Sequence, residues 1–220
     1  MNSAHLGNTP FSAVLLAAGA GSRLGGCAKS LLEVDGVPLI GRIITALTDA
    51  GASELVVVLG HHSDAIKSVL RDLPAPQAAR MTVVTNASPD DGQVSSLRIG
   101  LNALTHQTNA VMIALADQPM IDAEDVGDLL RAFATRGDQP MLVPRVAGKP
   151  GNPVLISAAL SALWRNANAN SIGQIWRRDN PTGVHWFDTD NAHYRVDIDT
   201  PDDMTRFTAR TGRSLCWPTN

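Results

Sequence analysis

A chain of 220 residues with 44% hydrophobic and 18% charged residues has the balance of a folded domain, which excludes global disorder. Eighteen basic against 21 acidic residues leave a formal charge of -3, and no basic block offers nucleic acid a surface. Two cysteines, Cys27 and Cys216, lie far apart without a CxxC pair, which excludes a disulfide scaffold or a cysteine zinc knuckle. The longest apolar run, near Ala13–Ala18, is too short to span a bilayer. Met1–His5 lacks a basic stretch followed by an apolar core, so no export signal is expected and the location expected is cytoplasmic.

Apolar runs alternate with amphipathic segments from the start, the pattern of βαβ units. Ser12–Ala18 reads as a buried first strand that ends in the glycine-rich turn Gly19–Gly26. Leu39–Ala50 reads as a helix stopped by Gly51. Strand Glu54–Leu59, helix Ser63–Asp72, strand Met81–Thr85, helix Ser95–Leu104 and strand Ala110–Ala116 follow. Asp122 is placed to cap a helix over Asp122–Arg136. Met141–Pro144 and Pro153–Ile156 read as strands around the loop Arg145–Asn152. Short helices at Ala158–Asn166 and Ile172–Asp179 lead to strands Val184–Phe187 and Tyr194–Ile198, and a last helix begins at Pro201. The expected fold is α/β: a three-layer, Rossmann-like, mostly parallel sheet with helices on both faces. Residues 12–210 form one domain in this reading, between a flexible N-terminus (1–11) and a C-terminal tail (211–220), with 1–10 and 212–220 expected to be loose ends.

The segment Leu16-Ala17-Ala18-Gly19-Ala20-Gly21-Ser22-Arg23 through Lys29 is the strongest local signal. A glycine-rich turn after a buried strand lets backbone N–H groups approach an anion. A dinucleotide fingerprint fails because the third glycine position holds Leu24, and a P-loop fails because Cys27 follows Gly26. A phosphate cradle with two cations, Arg23 and Lys29, remains, beside the plainer reading of a structural turn with solvated charges.

That segment resembles the signature loop of the molybdenum-cofactor cytidylyl- and guanylyltransferases. Five further stretches resemble the same family in order: Leu31–Ile40, Asn86 with Gly92–Leu101, Ala116-Asp117-Gln118-Pro119, Gly148–Val154 and Asp197–Asp203. The resemblance spans roughly residues 12–208. It implies a nucleotide-diphospho-sugar transferase-like fold and a Mg²⁺-dependent nucleotidyltransferase, with Mn²⁺ as a substitute ion. It further implies transfer of CMP from CTP to the phosphate of a molybdopterin-type cofactor, with pyrophosphate released. Alternatives are GTP as donor, a sugar-phosphate or isoprenoid-precursor acceptor, or a carrier that binds the cofactor without chemistry. A molybdenum hydroxylase apo-enzyme is the partner the resemblance implies; nucleic acid and membrane are not expected.

By the same resemblance Arg23, Lys29 and Asp117 are catalytic. Leu16, Ala17, Ala18, Gly19, Gly21, Ser22, Arg23, Lys29, Asn86 and Ser96 hold the nucleotide. Asp117, Asp199 and Asp197 hold the metal, and Ser95, Gly148, Gly151 and Asn152 meet the acceptor. The chemistry suits these types, because nucleotidyl transfer gathers several negative charges that must be neutralised and aligned. Asp117 follows an apolar strand at the edge where open α/β sheets bind ligands, although a helix N-cap is the bland alternative. Asp197 and Asp199 alternate on the expected strand and so share a face; a strand-end turn is their alternative. Ser95 and Ser96 serve equally as helix caps. Ala18 favours CTP, whereas the six-residue step from Arg23 to Lys29 is nearer the guanylyl pattern, and Ala28–Leu32 resembles the PKxLL of sugar and isoprenoid-precursor enzymes. His61 and His62 have no third ligand at metal spacing and read as structural.

Overall fold

In the computed structural model, which describes residues 9–72, 81–167 and 172–218, the first half of the chain alternates strand and helix. It runs β1 (Phe11–Ala17), β2 (Glu33–Val34), β3 (Val37–Pro38), α1 (Leu39–Asp49), β4 (Glu54–Leu59), α2 (Ser63–Arg71) and β5 (Met81–Thr85). Then come α3 (Gln93–Ala103), β6 (Ala110–Leu115), α4 (Ala123–Ala134), β7 (Met141–Val146), β8 (Lys149–Pro150) and β9 (Val154–Ser157). The chain closes with α5 (Ala158–Asn166), α6 (Gln174–Asp179), β10 (Val184–Asp188), α7 (Pro201–Thr211) and β11 (Leu215–Cys216).

The main sheet has the order β10-β7-β9-β6-β1-β4-β5, with β8 paired to β7. β1 pairs in parallel with β4 on one side and β6 on the other, and β4 pairs in parallel with β5. β9 is antiparallel to both β6 and β7, so the sheet is mixed but mostly parallel where it matters for the site. Every residue of β1 is buried, and successive side chains take opposite faces. Phe11, Ala13, Leu15 and Ala17 join α1, α2 and α4 in one apolar cluster. Val14 and Leu16 join α3 and α5 in the other. Helices on both faces of one sheet make the three expected layers, and each large aliphatic buried there contributes about 1.5–3 kcal/mol.

A third, smaller cluster lies under the three-stranded sheet β11-β2-β3, where Leu24, Leu32 and Leu39 meet Ile198, Phe207 and Leu215. This corrects two expectations. The tail is not loose over 212–218: β11 pairs antiparallel with β2, Leu215 is buried, and Arg213 Nε donates to Asp35 Oδ2 at 2.7 Å. Trp217 packs against the same cluster. The strand expected over Tyr194–Ile198 is also absent, since Ala192–Arg195 is a 3-10 turn followed by unpaired extended chain. Its backbone is bound by loops instead of a sheet edge. The Tyr194 carbonyl accepts from Asn152 N at 2.9 Å, and Ile198 N donates to the Asp117 carbonyl at 3.1 Å. At the other end Phe11 is already in β1, and residues 1–8 lie outside the described residues. Among the described residues no helix is long and apolar enough to cross a membrane.

Candidate active site

From β1 the chain moves to β4 and β5 on one side of the sheet, then returns to β6 on the other. The loops that leave the carboxyl ends of β1 and β6 therefore diverge, and a crevice opens between them. Leu16, Ala17, Ala18 and Gly19 line it from β1, Leu115, Ala116 and Asp117 from β6, and Lys29 from the end of the glycine-rich loop. Gln93 and Ser96 of α3 close the far wall, around a cavity of about 200 Å³. The loop is drawn tight by bonds from Leu24 N and Gly26 N to the Gly21 carbonyl, at 2.8 and 3.0 Å. Gly21 has φ 63°, and a Cβ there would lie 1.8 Å from the Cys27 carbonyl oxygen, so only glycine closes the turn.

At the mouth of the crevice charge is concentrated. Lys29 Nζ donates to Asp117 Oδ2 at 2.7 Å and to Asp199 Oδ1 at 2.5 Å. Arg23, on the outer turn of the loop, pairs with Asp199 Oδ2 at 2.9 Å. Burial alone would lower the Lys29 pKa, but the two carboxylates more than offset it and raise the value. Asp117 Oδ1 is buried with no hydrogen-bond partner among the described residues, while Oδ2 is held by Lys29. Asp117 is not a helix cap, because Asp122 caps α4. Asp199 is not a cap either, because Thr200 caps α7. The bond between Ile198 N and the Asp117 carbonyl holds the two carboxylate segments side by side without a strand.

Asp197 completes the acidic group. Crowding by the surrounding protein, then the charges of Asp117 and Asp199, raise its pKa. A carboxyl held above its usual range binds its proton more tightly in the folded chain than in the unfolded one. Its contribution to stability is present at low pH and is lost as pH rises through the folded value, so ionised Asp197 destabilises at neutral pH. Asp197→Asn is therefore expected to raise the melting temperature at pH 7 by about 2 °C, a gain that shrinks towards pH 4. Melting curves at the two pH values check this, and equal stability at pH 7 would remove the repulsion from the account.

Other expected residues are placed less directly. Asn86 is buried behind the crevice, where its Nδ2 donates to Ser95 Oγ at 2.7 Å and Ser96 Oγ at 2.9 Å. Ser96 lines the cavity, while the Ser95 hydroxyl donates to the carbonyl of Gly92, the N-cap of α3, at 3.0 Å, and no side chain caps this helix. Gly148 sits in the turn of the β7–β8 hairpin. Gly151 does approach backbone closely, but the chain's own: a Cβ there would lie 2.3 Å from the Tyr194 carbonyl oxygen. Asn152 belongs to that junction, its carbonyl accepting from Gln118 Nε2 at 3.1 Å. His61 meets Asp90 at 2.9 Å and His62 the Ala20 carbonyl at 3.1 Å, structural contacts as expected.

Sequence reasoning missed Gln93 in the cavity wall and Gln118, which is buried with an unpartnered Oε1. The only signal for Gln118 was its place beside Asp117. The sequence also gave no hint of Asp122, Asp125 and His193 converging, with candidate ligand atoms within 4.8 Å of one another. This group is a structural staple. The Asp125 oxygens already accept from Asp122 N, Asn191 Nδ2 and His193 Nδ1 at 3.1, 2.6 and 2.9 Å, leaving little for a cation.

Residues 13–182 match the MobA-like NTP transferase domain. The chain belongs to that family. The MobA-like domain is a nucleotidyltransferase domain, and the match covers the glycine-rich loop and Asp117 but ends before Asp197 and Asp199. The chain is 30% identical over 199 residues to nicotine blue oxidoreductase of Paenarthrobacter nicotinovorans, covering 88% of this chain and 94% of that one. It is 32% identical over 147 residues to the bifunctional protein GlmU of Sorangium cellulosum, covering 65% of this chain but 31% of that longer one. In structure it resembles Rv0371c of Mycobacterium tuberculosis, with TM-score 0.72, 22% identity, and coverage of 91% and 99%. A second crystal structure of Rv0371c is a complex with manganese, at TM-score 0.67 and 21% identity over 90% of this chain and 97% of that one. At these identities the structural likeness shows the MobA-like fold alone.

Proposed function

We propose that this MobA-like chain transfers CMP from CTP to the phosphate of a molybdopterin-type acceptor and releases pyrophosphate. One observation carries the reading: Lys29 bridges Asp117 and Asp199 at the mouth of a glycine-walled crevice, with Arg23 on the second oxygen of Asp199. A site of this kind gathers cations and carboxylates where a triphosphate would lie. The backbone from Ala18 to Gly21 offers N–H groups to phosphate oxygens, Arg23 offers a planar fork to the outer phosphates, and Lys29 a point charge near the α-phosphate. The choice of CTP rests on Ala18 within Leu16-Ala17-Ala18-Gly19, and Ser96 and Asn86 shape the wall beside it.

A divalent ion fits the donor set. Asp117 and Asp199 are hard oxygen donors on either side of one cation, and Asp117 Oδ1 is buried without a partner. Mg²⁺ or Mn²⁺ would be held by Asp117 and Asp199, with Asp197 alongside, and would neutralise phosphate charge. Lys29 then has two roles: it occupies the carboxylates in the free protein and turns to the phosphates when CTP arrives. The product would pass to a molybdenum hydroxylase apo-enzyme.

The test is a panel of CTP, GTP, UTP and ATP with Mg²⁺ or chelator, read by thermal shift and by pyrophosphate release with the pterin acceptor. Selective, metal-dependent stabilisation by CTP is expected. A preference for GTP keeps the chemistry and overturns the base assignment, while no response to any nucleotide sinks the enzyme and favours a cofactor carrier. A second reading, a reductase of small aromatic substrates, is favoured by the likeness to nicotine blue oxidoreductase along nearly its whole length. Against it stands the glycine spacing, which puts Leu24 where a dinucleotide fingerprint needs glycine. Adding NADH and NADPH to the panel separates the two.

A further inference from the structure

Beside the acidic group, with Asp197 in its wall, lies a second cavity of about 690 Å³, within the size range of small-molecule sites. Arg195, Arg206, Arg210 and Arg213 line it, with Phe207 and Met120 as apolar surface and Asp197 at the wall shared with the acidic group. Four guanidiniums in one pocket run against the chain's net charge of -3. Arg206 and Arg210 stand one helical turn apart on α7, a like-charged spacing that costs helix stability.

Nearly all of their donor capacity is unspent. Each guanidinium carries five N–H donors. Arg195 gives one bond, to the Pro150 carbonyl at 2.9 Å, and Arg213 gives one, to Asp35 at 2.7 Å. Arg206 pairs with Asp203, whose carboxylate is already engaged by the backbone N–H groups of Asp199 and Thr200. Arg210 has no partner among the described residues. In-line transfer needs the acceptor to reach the α-phosphate opposite the departing pyrophosphate, and Asp197 puts one wall of this pocket beside the carboxylates of the site.

We propose that this pocket binds the acceptor through an anionic group, as a small organic phosphate whose ring or apolar body lies on Phe207 and Met120. The proposal deepens the nucleotidyltransferase reading and rests on it for the word acceptor; the anion site itself rests on the arginines. Arg195 and Arg210 are the principal anion contacts, since neither is paired with a carboxylate among the described residues. Arg206 and Arg213 set the positive field, and Arg213 also ties α7 to the β2–β3 turn.

Phenyl phosphate, inorganic phosphate and CTP with Mg²⁺ are titrated into the wild type, Arg195→Gln/Arg210→Gln and Lys29→Ala by calorimetry and thermal shift. Phenyl phosphate is expected to bind more tightly than inorganic phosphate and to weaken with added salt. Its affinity should survive Lys29→Ala and fall about tenfold or more in the double arginine variant. Stabilisation of that variant by CTP controls for its fold, and Arg210→Lys should recover part of the affinity. Equal affinity in the double variant, loss confined to Lys29→Ala, or no binding to the wild type at about 10 mM would each overturn the pocket. If CTP fails with the wild type while phenyl phosphate still depends on the arginines, the anion site stands and the transferase reading falls.

Discussion

Asp117→Asn is expected to lower kcat/KM for nucleotidyl transfer by about 10³-fold or more while leaving the chain folded. The substitution removes the charge on the carboxylate whose Oδ2 already holds the Lys29 ammonium and whose Oδ1 has no partner among the described residues. Asparagine keeps an oxygen and the shape of the side chain, and Lys29 keeps its 2.5 Å contact with Asp199. Melting should therefore shift by no more than about 2–4 °C, the equivalent of ~1 kcal/mol in a domain of this size. The decisive readout is the metal-dependent part of CTP stabilisation, which the variant should lose. Wild-type turnover in Asp117→Asn would remove this residue from the chemistry and direct attention to Asp197 and Asp199.

Lys29→Ala should cost about 10²–10³ in turnover, with a smaller but measurable cost in stability. In the free protein Lys29 neutralises two carboxylates at once, and its removal leaves Arg23, 67% exposed, as the remaining cation bonded to the group. The uncompensated repulsion should lower stability by about 1–3 kcal/mol, below the cost of a fully buried pair because solvent reaches these groups. The Lys29 pKa is raised in the folded state, so its stabilisation is present at neutral pH and lost as pH climbs above the ordinary lysine value. Melting of the two proteins should converge at strongly alkaline pH. Mg²⁺ without nucleotide should stabilise Lys29→Ala more than the wild type, because the ammonium no longer competes for the carboxylate oxygens. A variant with unchanged turnover would take Lys29 out of the site.

The sheet was legible in the sequence because each of its central strands is a short apolar run between turn residues. That Leu16–Gly19, Lys29 and Asp117 would line one crevice was legible for a related reason: the carboxyl edge of a parallel sheet comes directly after the strands that form it. The tail was misread because β11 has two residues and pairs with β2, whose own two residues carry no period to detect. Tyr194–Ile198 was misread because its alternating pattern is that of a strand, while its backbone bonds go to loops at Asn152 and Asp117. Gly151 was placed at the acceptor by resemblance, and its contact with the Tyr194 carbonyl could not be read because a close backbone approach is visible in sequence only as glycine, without its partner. The arginine pocket had no local signature, since Arg195 reaches it from a turn and Arg206, Arg210 and Arg213 from α7 and the chain beyond it.

The contact between Lys29 and Asp199 joins residues 170 apart in the chain. All strands of the main sheet are complete by Asp188, so the sheet can assemble on the ribosome before the second carboxylate has been made. Asp197, Asp199, the four arginines of the pocket and β11 all follow the main sheet in the chain. A chain that ended near residue 190 would own the crevice and its glycine loop but neither Asp197 nor Asp199. The crevice and its glycine loop are built by one part of the chain, and Asp197 and Asp199 are brought to them by another, which docks on the sheet like a latch.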